Sequence, residues 1–234
     1  MVALFDPRLT MLLTVRDAAE LLKTTERQVY RWVDEEEIPF QRVRDQVRFN
    51  RTELLEWATG RRLPVSIEAF DTENDEAAPP RLADAIRRGG VHTAVPAADR
   101  ESALLAVVER APLPESLDRE LVLEMLLARE GTSSTAIGEG IAIPHVRHPV
   151  VAPGAPATAT ICFLASPVAF GAPDEKPVHT IFLLVSPTVR AHLQMLAHVV
   201  HALQDPGFRA ALEARAGLEE LASAAGRMDV ARKR

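Results

Sequence analysis

The sequence contains one cysteine, Cys162, and no long apolar run. A lone cysteine cannot close an intrachain disulfide. It lies in an apolar stretch and reads as a buried thiol, which suits a reducing cytoplasm. A membrane-spanning helix needs roughly 18 or more consecutive apolar residues, and the sequence has no such run. The opening residues, MVALFDPRLT, lack a charged segment followed by an apolar one, so a secretory signal is not expected. Basic charge is not in excess either. The formal net charge is −6 over 234 residues, which by itself argues against a general nucleic-acid binder. There is no internal repeat.

Most of the net negative charge sits in one place. Residues 65–80, VSIEAFDTENDEAAPP, hold five acidic residues and no basic ones, and end in Pro79-Pro80. Such a segment reads as a solvated, partly stiff linker. The segment before it balances, with 11 basic and 11 acidic residues, and the segment after it is nearly balanced. The expected organisation is therefore a small domain over 11–64, an acidic linker over 65–80 and a larger domain over 81–228. A short basic tail, ARKR, is expected to be disordered.

In the small domain, Thr14 and Asp17 form a capping box opening a short helix with Ala18, Leu21 and Leu22 on its apolar face. Thr25 and Gln28 form a second, opening a helix to about Glu36. There Val29, Trp32 and Val33 make the buried stripe. Arg27 and Arg31 lie opposite, flanked by Gln28 and Tyr30. Two short helices joined by a tight turn match a helix-turn-helix, whose second helix enters the major groove and reads base edges. A solvated polar face on a small helical hairpin is the alternative. Residues 39–50, PFQRVRDQVRFN, then predict two strands about Asp45-Gln46. Arg42, Arg44 and Arg48 crowd that hairpin, as on a wing touching phosphates. A last helix, Thr52 to Thr59, packs Leu54, Leu55 and Trp57. Residues 11–62 resemble the excisionase and MerR-type winged helix-turn-helix family. The resemblance implies DNA contact by the second helix and wing, and pairing with a second copy or partner, since one small domain binds weakly alone. The acidic run Asp34 to Glu37 departs from that pattern and is expected to face away from DNA.

The larger domain interleaves helices and apolar strands, which predicts an α/β fold with a mixed β-sheet flanked by helices. Helices are expected over 81–88, 99–111, 115–130, 206–214 and 218–225, and strands over 91–95, 158–164 and 178–185. Ser186-Pro187 are expected to cap and start a helix to about Leu203. Between Gly131 and Pro149 runs GTSSTAIGEGIAIPHVRHP, where glycines let backbone N–H groups converge on an anion and Pro144 fixes the chain before His145. A histidine presented this way is a plausible nucleophile, or simply a surface histidine in a turn. Arg147 follows two residues on, a cation suited to a phosphoryl group. His192 shares a helix face with Leu196, Val199 and Leu203. That reads as a core histidine or as a second ring at a site, whereas His198 and His201 are expected in solvent. His145 and His148 make an H-x-x-H, but no carboxylate or cysteine ligands accompany it, so neither a metal nor another cofactor is expected.

The strings STAIGEGIAIPHVRHPV and FGAPDEKPVHTIFLLVSPTVRAHLQMLAHVV resemble the enzyme IIA domain of the fructose/mannitol and nitrogen-related class of the bacterial phosphotransferase system. The resemblance covers about residues 82–227. It implies that His145 takes a phosphoryl group from the phosphocarrier HPr or a relative, using Nε2, with His192 beside it stabilising that group. Ser134 and Thr135 are further candidate donors. Val146 departs from the family, where many relatives have glycine after the active histidine. Three functions follow from these residues. The first is a regulator whose phosphorylation state is coupled to DNA or partner binding. The second is a sugar-transport component, and the third a IIA-like binding protein that transfers nothing.

Overall fold

The computed structural model describes residues 12–43, 45–61, 63–66, 80–115, 117–145, 152 and 154–231. The chain divides into two compact units, residues 1–75 and 76–234.

The first unit opens with α1 (Val15–Leu21). Thr14 Oγ1 accepts from the Asp17 N–H at 3.2 Å, and the Thr14 N–H donates to the Asp17 carboxylate at 2.9 Å, the expected reciprocal box. In α2 (Glu26–Asp34), Thr25 Oγ1 accepts from the Gln28 N–H at 3.2 Å, so this helix has the cap but not the full box. Strands β1 (Gln41–Val43) and β2 (Gln46–Arg48) pair antiparallel with Gln41 opposite Arg48. The turn lacks glycine, and Asp45 takes the left-handed conformation instead, at φ 62°. Aspartate tolerates that region better than most residues because its short side chain bonds locally. Helix α3 (Arg51–Gly60) starts one residue earlier than predicted, because Asn50 Oδ1 caps the Glu53 N–H at 3.2 Å. Val29, Val33, Phe49, Leu54 and Leu55 form the core. The Trp32 and Trp57 rings meet edge to face, 5.0 Å between centroids. Val65 is buried and the Ser66 N–H donates to the Leu21 carbonyl at 2.7 Å. The first residues of the predicted linker are thus part of this unit, and residues 67–79 lie outside the described residues.

The second unit runs α4 (Leu82–Gly89), β3 (Val91–Val95), α5 (Arg100–Arg110), α6 (Arg119–Thr132), β4 (Ala136–Gly138), β5 (Ile141–Ala142), β6 (Thr158–Val168), β7 (Val178–Val185), α7 (Val189–Gln204), α8 (Pro206–Glu213) and α9 (Leu218–Ala231). The sheet order is β3-β6-β7-β5-β4. Strand pairs β3/β6 and β5/β7 are parallel, and β6/β7 and β4/β5 antiparallel, so the sheet is mixed as expected. Leu104, Val107 and Leu126 from α5 and α6 cover one face over Cys162, Leu164, Ile181 and Leu183. Burial pushes the Cys162 thiol up to about 12, leaving it an inert core residue. On the other face α4 lies against β6 and α9. The approach is so close that a Cβ on Gly89 would fall 2.3 Å from the Ala159 carbonyl group.

Three expectations are corrected. Strands β4 and β5 were hidden in what reads as a glycine-rich loop, since two-residue and three-residue strands carry no periodicity. Helix α6 begins at Arg119, where Asp118 accepts from the Glu120 N–H, rather than at Glu115. Helix α7 is capped by Thr188, whose Oγ1 accepts from the Ala191 N–H at 3.1 Å, and not by Ser186. Ser186 belongs to the strand end: its carbonyl accepts from the Ala152 N–H at 2.9 Å.

Candidate functional site

Strands β5 and β7 run parallel, so their carboxyl ends lie on the same edge of the sheet. His145 lies three residues past β5 and His192 in the first turn of α7, which follows β7. Topology therefore brings together two histidines 47 positions apart in the sequence. Their ring centroids are 6.2 Å apart, tilted by 45°.

Local geometry determines which nitrogen of His145 holds the proton. Pro144 disfavours the helical region for Ile143, the residue before it, because the proline ring crowds its backbone. The Ile143 carbonyl then turns to His145 Nδ1, at 2.5 Å. A carbonyl oxygen only accepts, so Nδ1 carries the hydrogen and the neutral ring has its lone pair on Nε2. His145 is 6% exposed and His192 2%. Among the described residues neither ring nitrogen of His192 has a hydrogen-bond partner. Burial, and secondarily the His145 ring, hold its pKa down at about 3, so it is neutral at physiological pH. A buried ring with two unmet nitrogens is costly unless something meets them. A polar group arriving beside His145 could do so.

In the first unit Arg27, Tyr30 and Arg31 are exposed on α2, with Tyr30 at 49%, and Gln28 is half-buried. Arg42 is exposed and lies over the Phe40 ring, 5.7 Å from its centroid. Arg48 turns onto its own hairpin, donating to the Val47 carbonyl at 2.9 Å and to the Gln46 side chain. In the acidic run, Glu37 pairs with Arg61 at 2.8 Å and its carbonyl accepts from Trp57 Nε1, so it braces α3. Arg44 lies outside the described residues.

A family model described as the phosphoenolpyruvate-dependent sugar phosphotransferase system, EIIA 2, matches residues 86–224. The chain belongs to this family. A helix-turn-helix domain model matches residues 12–62. The nitrogen regulatory protein of Escherichia coli (strain K12) is 33% identical over 152 residues, 64% of this chain and 91% of that protein. That of Pseudomonas aeruginosa is 36% identical over 111 residues, 47% of this chain and 70% of that protein. The solved structure of nitrogen regulatory protein IIA-Ntr from Neisseria meningitidis superposes with a TM-score of 0.51 at 27% identity, covering 62% of this chain and 98% of that one.

Within this EIIA unit several predicted residues do other work. The Ser134 hydroxyl donates to the Phe170 carbonyl at 2.6 Å, and that of Thr135 to the Glu130 carboxyl at 2.6 Å. Each hydroxyl has one hydrogen, and here it is committed inside the fold. The glycine turn also differs from the anion cradle expected of it. Gly138, Glu139 and Gly140 all have positive φ, closing the β4–β5 hairpin, and the Glu139 N–H is on the Asp174 carboxylate at 2.8 Å. That turn borders a cleft of about 420 Å³ with Lys176, His179 and Arg209, at the start of β5. Three residues, Ala142 to Pro144, separate Ile141 there from His145, a span of at most roughly 13 Å if fully extended. His198 is buried rather than solvated, whereas His201 is exposed. Arg147, Val146 and His148 lie outside the described residues. Glu130 was not legible as special, because a carboxylate in a helix reads as a solvated face; it is 3% exposed. Among the described residues no helix is long and apolar enough to cross a membrane.

Proposed function

We propose that this chain is a regulatory phosphocarrier. His145 accepts a phosphoryl group from an HPr-like phosphocarrier protein in the cytoplasm, and the helix-turn-helix unit couples that state to DNA or to a regulatory partner. The observation that carries the reading is the buried pair: a His145 ring oriented through Nδ1 by the Ile143 carbonyl, beside a neutral His192 whose nitrogens have no hydrogen-bond partner among the described residues.

Nε2 attacks phosphorus in line. Its bond to phosphorus forms as the donor's P–N bond breaks, and the electron pair stays on the donor imidazole. The His145 ring gains positive character in that step, and the Ile143 carbonyl is already placed to stabilise it at Nδ1–H. His192 gives one N–H to a phosphoryl oxygen, and Arg147 supplies charge nearby. Ser134 and Thr135 join this shell only if their internal hydrogen bonds are exchanged. Arg27, Gln28, Tyr30 and Arg31 face base edges, while Arg42 and Arg44 meet phosphates, with Arg48 joining them only if its bonds within the hairpin are exchanged, in a homodimer on paired half-sites.

The test is incubation with phosphoenolpyruvate, enzyme I and the phosphocarrier. An acid-labile, alkali-stable adduct is expected on the wild type and absent from His145→Ala; no adduct on the wild type rejects the carrier reading. The phosphoryl group adds about −1.5 to −2 charge, so the two forms should differ in affinity for DNA or partner. Equal affinities in a titration at fixed salt reject the coupling.

A further inference from the structure

We propose that Glu130 is a positioning residue for His145, acting through a series of hydrogen bonds that ends on the imidazole. The inference rests on the reading of His145 as phosphoryl acceptor for its functional meaning, but its geometry stands alone. One Glu130 oxygen accepts from the Thr135 N–H at 2.9 Å, and the other from the Thr135 hydroxyl at 2.6 Å. The Thr135 carbonyl accepts from the Ile143 N–H at 3.1 Å. The Ile143 carbonyl meets His145 Nδ1. Four residues from the end of α6, the entry to β4, the exit of β5 and the loop beyond are thereby joined in one line.

The placement of Glu130 is unfavourable on two counts, which is why a purely helical role does not account for it. It is buried, which costs a carboxyl group its hydration. It also stands in the last turn of α6, where the helix dipole disfavours negative charge. Both oxygens are matched to a single residue, Thr135, gripping it at backbone and side chain together. With Thr135 pinned, its carbonyl has one direction. That direction sets Ile143, whose carbonyl is already constrained by Pro144. The end product is a carbonyl held against Nδ1, which selects the tautomer with Nε2 unprotonated. Outer-shell partners of this kind orient functional histidines in the same manner.

The experiment uses the full chain labelled with ¹⁵N, reading the His145 ring nitrogens by two-bond proton–nitrogen correlations. The rate of phosphoryl uptake from the phosphocarrier is measured in parallel. The wild type is expected to show Nδ1 protonated and Nε2 unprotonated. Glu130→Ala is expected to raise the Nε2-protonated population and slow uptake roughly 10–100-fold, as outer-shell substitutions do. KM for the phosphocarrier should hold, since Glu130 is buried away from any docking protein. Glu130→Gln is expected between the two, because its amide oxygen still accepts from the Thr135 N–H. Thr135→Val, which deletes only the hydroxyl arm, should shift the tautomer the same way by a smaller amount. It also serves as the deciding variant if Glu130→Ala does not fold. A wild-type ring protonated at Nε2 overturns the proposal. So does a wild-type tautomer and rate in folded Glu130→Ala, or in Glu130→Gln and Thr135→Val together. If the wild type takes up no phosphoryl group, the carrier reading fails, and the ring spectrum still decides the positioning role.

Discussion

His145 and His192 are the same side chain in opposite situations. The first has its Nδ1 hydrogen on a fixed carbonyl, whereas the second is buried with no partner for either nitrogen among the described residues. The difference supports the roles proposed for them: an oriented ring can attack, and an unsatisfied neutral ring can donate to what arrives. His192→Ala is expected to leave His145 as the acceptor while slowing phosphoryl uptake by about 10²–10³-fold, the usual cost of losing one transition-state donor. A single-turnover time course, with the adduct checked for acid lability, measures this. His145 was legible in the sequence because proline and the apolar lead-in bracket it. The internal bonds of Ser134 and Thr135 were not legible: the Ser134 acceptor lies 36 positions away at Phe170, and the Thr135 acceptor, Glu130, reads as a solvated helix carboxylate.

The β4–β5 hairpin shows how glycine serves an element rather than a ligand. Gly140 has φ of 73°, and a Cβ there would lie 2.3 Å from the His179 ring. The ring is itself tied through Nδ1 to Thr180 Oγ1 at 2.8 Å, so it cannot swing aside without losing a partner. Gly140→Ala is expected to destabilise the second unit by about 1–3 kcal/mol, the range for overpacking and for a strained left-handed residue. Chemical denaturation followed by the second unit's far-ultraviolet signal checks it, and an unchanged midpoint would contradict the packing described here. Because β5 leads straight to His145, the same variant should also slow phosphoryl uptake. Short strands like these are set by partners across the sheet. Ile141 and Ala142 are strand residues because β7 offers Thr180 and Ile181 alongside. By contrast, β7 and β3 were predicted to the residue, since each is a continuous apolar or alternating run.

For the molecule as a whole, burial of neutral histidine makes stability depend on pH. The unfolded His192 ring takes a proton near 6.5, and the folded one only near 3. Between those values the unfolded state binds more protons, so stability falls as pH drops through that window. His92 and His179 are also lowered, each chiefly by burial, and act in the same direction. His192→Leu is expected to flatten the decline between pH 6.5 and 3 relative to the wild type, while abolishing the donor role. Denaturant midpoints of both proteins at stepped pH test this; parallel curves would rule it out.

Much of this protein was settled by sequence alone. Two units about an acidic segment, capped helices and buried strands follow from local patterns of charge, capping residues and apolar periodicity, which act within a few positions, while the HTH and IIA assignments came from the resemblance of whole motifs. Tertiary structure decided the rest. It brought His192 to His145 across two parallel strands, placed an unmet pair of nitrogens there, turned Arg48 onto its own hairpin, and committed Thr135 to Glu130. The reason is physical: burial and hydrogen-bond partnership are properties of neighbours in space, and which neighbours a side chain acquires depends on strand order, here β3-β6-β7-β5-β4, which no local pattern specifies.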